Sequence, residues 1–231
     1  MKKVFYLFTA FILFNLIYTS PIFADEYYFA RHKTCRNFDD VTKAYIHQVP
    51  FLSAPVIEFG AGKGRTQEYL GIPANVHIDS SVKMLQLQPR EPGLPILAEA
   101  TCVPIIDEYF CTATAFLCDP FLSSAFLGEA YRLLKSKGIL ILTTPSYEWA
   151  RTVRGGEHHD TTFVTEDKGR VTVPSNMYDR TTIYQMVILS GFVVELCRPC
   201  FLQADQVPSE AAKEAVEKGL PLIYLLVAHK P

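Results

Sequence analysis

Charge is scarce in this chain of 231 residues: only 20% are charged, and 22 lysines and arginines stand against 24 aspartates and glutamates. So even a balance creates no global field to gather phosphate backbones, and nucleic acid is not implied. Internal repeats and low-complexity tracts are absent, which excludes a solenoid or a fibrous array. Six cysteines at this length make no disulfide scaffold, because a core of this size needs no covalent staples. The one C-x-x-C, Cys197-Arg198-Pro199-Cys200, lacks the second pair of a structural zinc site and opens no helix as redox motifs do. Cys102, Cys111 and Cys118 lie on or beside apolar runs and are expected to pack as small buried hydrophobes. No metal site is expected. What the chain does have is a 49% hydrophobic share, enough for one sizeable core.

A run long enough to cross a bilayer is also missing. The N-terminal apolar stretch, Val4 to Ile17, is 14 residues interrupted by Tyr6, Thr9 and Asn15, which suits the apolar region of a secretory signal better than a span. Lys2 and Lys3 precede it, and no acid appears before Asp25. Residues 1–24 are therefore expected to be a signal peptide cleaved after Ala24, although Ile22 stands where a small residue is preferred. If they are retained, residues 4–17 would anchor the chain to a membrane. The domain proper is expected over 25–231.

From Asp25 onward, strand and helix patterns alternate. An amphipathic stretch from Tyr28 to Val49 closes at Pro50. Strand-like runs follow at Ala54–Phe59, Val76–Ile78, Leu94–Ala98, Phe110–Leu117, Ile139–Thr144, Phe192–Leu196 and Leu222–Ala228. Helical spacing separates them from Thr66, from Val82, and around Phe126 to Leu134, with Gly138 expected as the C-cap. Two more helices are expected around Thr181–Leu189 and Glu210–Lys218. Near-continuous apolar strands signal a sheet covered on both faces, hence a mostly parallel one. Residues 145–180 break the rhythm and are expected to be an insertion covering something. Within it Trp149 reads as a packing aromatic.

The chemistry gathers behind the first two strands. Val56-Ile57-Glu58-Phe59 runs into Gly60-Ala61-Gly62-Lys63-Gly64, whose glycines permit a sharp turn and bare backbone beside a helix start, a place for an anionic group. The spacing is neither that of a P-loop nor the full dinucleotide fingerprint. A plain tight turn would look the same. Asp79, ending Val76-His77-Ile78-Asp79, stands where an acid can accept two hydrogen bonds from a ribose diol. An N-cap is an equal reading of that residue alone.

Four stations in order resemble class I S-adenosylmethionine-dependent methyltransferases, especially the group that includes ubiquinone and menaquinone biosynthesis enzymes. They are Glu58 to Gly64, Val76 to Asp79, Glu99-Ala100-Thr101-Cys102-Val103-Pro104, and Glu129-Ala130-Tyr131-Arg132-Leu133-Leu134-Lys135 followed by Gly138. The resemblance implies a single α/β domain, Rossmann-like and doubly wound, with a mostly parallel seven-stranded sheet and an antiparallel C-terminal strand. It also implies S-adenosyl-L-methionine as cofactor. Glu58 and the backbone of Gly60, Gly62 and Gly64 would serve its methionine part and Asp79 its ribose, flanked by Ile78 and Ser80. Glu99 and Ala100 would hold the adenine edge, and Phe116 would border the reacting methyl. Cys111 and Ser136-Lys137-Gly138 depart from the family pattern at structural positions.

Methyl transfer from a sulfonium needs alignment and exclusion of water more than a base. If the acceptor must lose a proton, His158, His159 or Asp160 in the insertion are the candidates. The acceptor is expected to be a small molecule. The rival reading is a silent binding or scaffold domain that keeps the fold without the reaction. A nicotinamide oxidoreductase is disfavoured by the loop spacing. Leader and cofactor point to different compartments, export or membrane for one and cytoplasm for the other.

Overall fold

The computed structural model describes residues 35–49, 52–86, 88, 93–154, 160–164 and 170–231. Residues 1–24, expected as a leader, and both candidate histidines, His158 and His159, lie outside these residues. In chain order the elements are α1 (Cys35–Ile46), β1 (Val56–Phe59), α2 (Arg65–Leu70), β2 (Val76–Asp79), α3 (Val82–Gln86), β3 (Leu94–Leu97), β4 (Phe110–Ala115) and α4 (Ser124–Leu133). After them come β5 (Leu134–Pro145), α5 (Tyr147–Arg154), β6 (Asp160–Val164), β7 (Arg170–Pro174), α6 (Arg180–Leu189), β8 (Val193–Cys200), α7 (Glu210–Glu217) and β9 (Ile223–His229).

Seven strands form one sheet in the order β3-β2-β1-β4-β5-β9-β8. The five from β3 to β5 pair parallel, and β9 enters antiparallel between β5 and β8. The chain winds outward from β1 to β3, returns to the middle, and winds the other way from β4. That reversal leaves a crevice at the carboxyl ends of β1 and β4, where open α/β sheets bind ligands. Alternation along the strands splits the core in two. Phe59, Ala113, Leu142, Tyr224 and Leu226 face α4 and α6, while Ile141, Ile223 and Leu225 pack with Phe38 of α1 and Trp149 of α5. Trp149 is a packing residue, as expected: its Nε1–H donates to Ala211 O at 2.9 Å, and its ring meets Phe38 edge to face.

The structure departs from the sequence expectations in four places. Gly138 does not cap α4. The helix stops at Leu133, Leu134 is already extended, and Gly138 lies within β5. The left-handed residue is Lys137 (φ 64), and its N–H donates to Lys230 O while Gly138 O accepts from Lys230 N–H. Glycine is needed there because a Cβ would sit 2.8 Å from Lys135 O. Secondly, β8 runs on to Cys200, so the C-x-x-C is strand. Burial raises its thiols, Cys197 to about 11 and Cys200 to about 12, away from thiolate chemistry. Thirdly, Cys102 is exposed and Cys111 half-buried, and only Cys118 of that trio packs as a core hydrophobe. Finally, the insertion carries its own antiparallel hairpin, β6 with β7. Of the N-terminal amphipathic stretch, Cys35–Ile46 is helix, and residues 28–34 lie outside the described ones. Among the described residues no helix is long and apolar enough to cross a membrane, and no group of three or more histidine, cysteine or acidic residues could hold a metal ion.

Candidate functional site

Side-chain alternation in β1 sends Phe59 into the α4 side of the core, edge to face with Phe126 at 5.2 Å, and Glu58 to the opposite side under α2. There Glu58 is 1% exposed. Its Oε1 accepts the Thr66 N–H of the first turn of α2 at 2.8 Å, and its Oε2 meets His77 Nδ1 at 3.1 Å. A carboxylate at that end satisfies a helix donor and complements the dipole. The His77 ring is wedged in turn against Gly93, where a Cβ would lie 2.4 Å from Nε2. Thr66 Oγ1 and Thr114 Oγ1, 2.6 Å apart, tie α2 to β4. Both oxygens of Glu58 are thus engaged in holding β1, β2 and α2 in mutual register.

The bend itself requires glycine, since Gly60, Gly62 and Gly64 have φ of +58°, +49° and +84°. Their missing side chains also admit the protein's own groups. A Cβ on Gly60 would lie 2.5 Å from Phe121 Cε1, and one on Gly62 would lie 3.0 Å from Met84 Cε. Sequence reading missed Phe121, Met84, His77 and Thr66. Only His77, two positions before Asp79 and so on the same face of β2, carried a local signal.

Asp79 closes the bend from the other side. Its Oδ2 accepts the Gly62 N–H at 2.9 Å and its Oδ1 the Ser81 N–H at 2.9 Å. Burial pushes its pKa up. The two N–H groups and that of Ser80 pull it back, and the charge of Glu58 adds to the rise. Glu99, two residues beyond β3, is raised by burial and then by the charge of Asp79. Among the described residues neither carboxylate has an ion-pair partner. Two acids therefore share one crevice, each with lone pairs to spare. A ligand rich in hydroxyl and amino donors fits that pair of acceptors.

The other expected contacts are placed as follows. Ile78 and Ala100 are buried and Ser80 is half-buried, all beside this crevice in sequence. Phe116, directly after β4, is buried, and its ring stacks edge to face on Tyr69 of α2 at 4.8 Å. The loop after β4 is tied to the end of the insertion, where Asp119 O accepts Asn176 N–H at 2.7 Å and Asp119 Oδ2 accepts the Ser175 hydroxyl.

Strand order, the antiparallel β9 and the acid-and-glycine crevice together decide the fold. The chain has the class I S-adenosylmethionine-dependent methyltransferase fold. No family model and no curated protein matches the sequence, but solved structures match the fold. An S-adenosylmethionine-dependent methyltransferase from Mesorhizobium loti superposes with a TM-score of 0.62 at 16% identity, covering 84% of this chain and 100% of that one. A protein solved in complex with the Haloferax volcanii Trm112 methyltransferase activator gives 0.63 at 14% identity, with 85% and 90% covered. The [4+2]-cyclase SpnF gives 0.60 at 16%, with 84% and 81% covered. The methyltransferase fold explains why the crevice lies at the reversal between β1 and β4.

Proposed function

We propose that this chain binds S-adenosyl-L-methionine and transfers its methyl group to a small-molecule acceptor. The observation that carries the proposal is the pair of carboxylates, Asp79 and Glu99, without an ion-pair partner among the described residues and facing one crevice beside a glycine bend that Asp79 itself clamps. In this reading Asp79 accepts from the ribose hydroxyls, and Glu99, with the backbone near Ala100, receives the adenine edge. Gly60, Gly62, Ile78 and Ser80 shape the walls. Glu58 acts through the bend, holding the start of α2 so that the loop backbone faces the methionine part. Phe116 closes the floor near the transferable carbon. The bound cofactor supplies an activated sulfonium methyl, and the protein's work is alignment and exclusion of water.

Calorimetry with S-adenosylhomocysteine tests this directly. Binding by the purified chain is expected, and Asp79→Ala should weaken it about 10- to 100-fold, the scale of hydrogen bonds to a charged acceptor. No binding, or equal binding by the variant, would sink the proposal. A second reading has its own support: SpnF shares the fold while its name is that of a cyclase, and a fold does not dictate one reaction. Binding of the cofactor with no label passed from [methyl-14C] donor to any component of a metabolite extract would favour that silent or diverted role.

A further inference from the structure

Beyond the donor crevice, the carboxyl edge of the sheet collects groups that cofactor binding does not use. Thr144, near the end of β5, is the cross-strand partner of Tyr224 at the start of β9, so both side chains leave the same face at the same level. Thr144 is 1% exposed, and among the described residues its Oγ1 has no hydrogen-bond partner. A buried hydroxyl left unsatisfied is destabilising, and its persistence points to a ligand group that completes it. The neighbouring Tyr224 hydroxyl donates to Glu148 Oε2 in the first turn of α5. Asp179, the N-cap of α6, lies close enough for its charge to act on the same tyrosine. Among the described residues no ion pair joins Glu148 or Asp179 to a cation. A cluster of this sign attracts cations and rejects carboxylates.

We propose that Thr144, Glu148 and Tyr224 form the acceptor subsite, and that it takes a protonated amine whose proton passes to Glu148. The proposal rests on the methyltransferase reading for its chemical step. Glu148 removes one N–H proton from the ammonium, and the freed nitrogen lone pair forms a bond to the sulfonium methyl carbon. The carbon–sulfur bond breaks with its electron pair left on sulfur, giving a neutral thioether and a methylated ammonium. The proton on Glu148 then leaves to solvent. Thr144 Oγ1 accepts a second N–H and holds the nitrogen in place. The Tyr224 hydroxyl fixes the Glu148 carboxylate.

The test uses the full chain and three matched probes: 2-phenylethylamine, 2-phenylethanol and 3-phenylpropionate. Each is titrated by calorimetry with and without saturating S-adenosylhomocysteine. The amine is expected to bind about tenfold more tightly than the other two, as hydrogen bonding to a charged group implies. Glu148→Gln keeps an acceptor for Tyr224 but removes the charge. It should bring the amine down to the level of the alcohol while S-adenosylhomocysteine affinity stays unchanged. Thr144→Val, nearly isosteric, should weaken the amine several-fold. Absence of amine binding, equal binding of the three probes, or an amine preference that survives Glu148→Gln would each overturn the proposal. Failure of S-adenosylhomocysteine to bind strikes the donor reading instead, and the amine preference measured without it still decides the subsite.

Discussion

At the residue scale, the site depends on a few groups held against their solvation preference. Asp79 and Glu99 are both raised by burial, and a neighbouring charge adds to each rise, that of Glu58 for Asp79 and that of Asp79 for Glu99. A raised carboxylate adds stability that is full at low pH and lost as pH rises through its folded value. Glu99→Gln should therefore raise the melting temperature of the ligand-free protein, by an increment that grows with pH across the carboxylate range and then levels off. Thermal scans at pH 4 and pH 8 would show it, and an increment larger at pH 4 would contradict the electrostatic account. The same substitution should weaken S-adenosylhomocysteine. At Gly60, alanine meets both a left-handed φ and the Phe121 ring 2.5 Å from its Cβ. Gly60→Ala should cost about 1–3 kcal/mol of folding stability, read from urea unfolding, and should displace Phe121. An unchanged unfolding midpoint would show that the loop relaxes freely.

Between elements, the C-terminal tail fastens α4 to the sheet. Lys230 Nζ donates to Leu134 O at 2.9 Å, Tyr131 O at 3.1 Å and Glu108 Oε1 at 3.0 Å, and it lies 4.5 Å from the centre of the Tyr131 ring. A buried cation at the carbonyl end of a helix is favourable, and removing it leaves acceptors without donors. Lys230→Met should destabilise the protein by about 2–3 kcal/mol without altering cofactor affinity, since β1 and β2 lie across the sheet. Loss of S-adenosylhomocysteine binding at full folding would show coupling that the topology does not contain. The elements themselves were largely legible in the sequence. Apolar runs bounded by Gly, Pro and Asp placed the seven strands of the main sheet; for the central strands the reason is burial on both faces, which leaves few other compositions, whereas the edge strands β3 and β8 are partly exposed. The junction of α4 and β5 was not legible. Helix and strand meet at Leu133 and Leu134 with no connecting loop, and the glycine that looked like a helix stop serves a turn inside the strand.

For the whole molecule, one prediction concerns the leader: mass spectrometry of the protein from its native membrane, secreted and soluble fractions is expected to find a mature N-terminus at Asp25. An intact Met1 in the soluble fraction would end the export idea. The acceptor's proton has two proposed destinations, Glu148 and the pair His158 and His159, which lie outside the described residues. Replacing both histidines with alanine and finding unchanged turnover would leave Glu148 alone. What the amino-acid order determined by itself was local: the glycine bend, the acid closing β2 and the alternation of strand and helix, each written within a dozen residues and enforced by backbone sterics and burial. Only the tertiary structure decided that Glu58 is spent on α2 and His77, that Phe121 and Met84 occupy the space the glycines leave, and that Thr144, Glu148 and Tyr224 meet at one edge. Glu58 reaches Thr66 within one strand-and-helix unit, but its contact with His77, those of Phe121 and Met84 with the glycines, and those of Tyr224 with Thr144 and Glu148 join different elements. No short stretch encodes them, because they arise from the pairing of β1 with β2 and β4 and of β5 with β9.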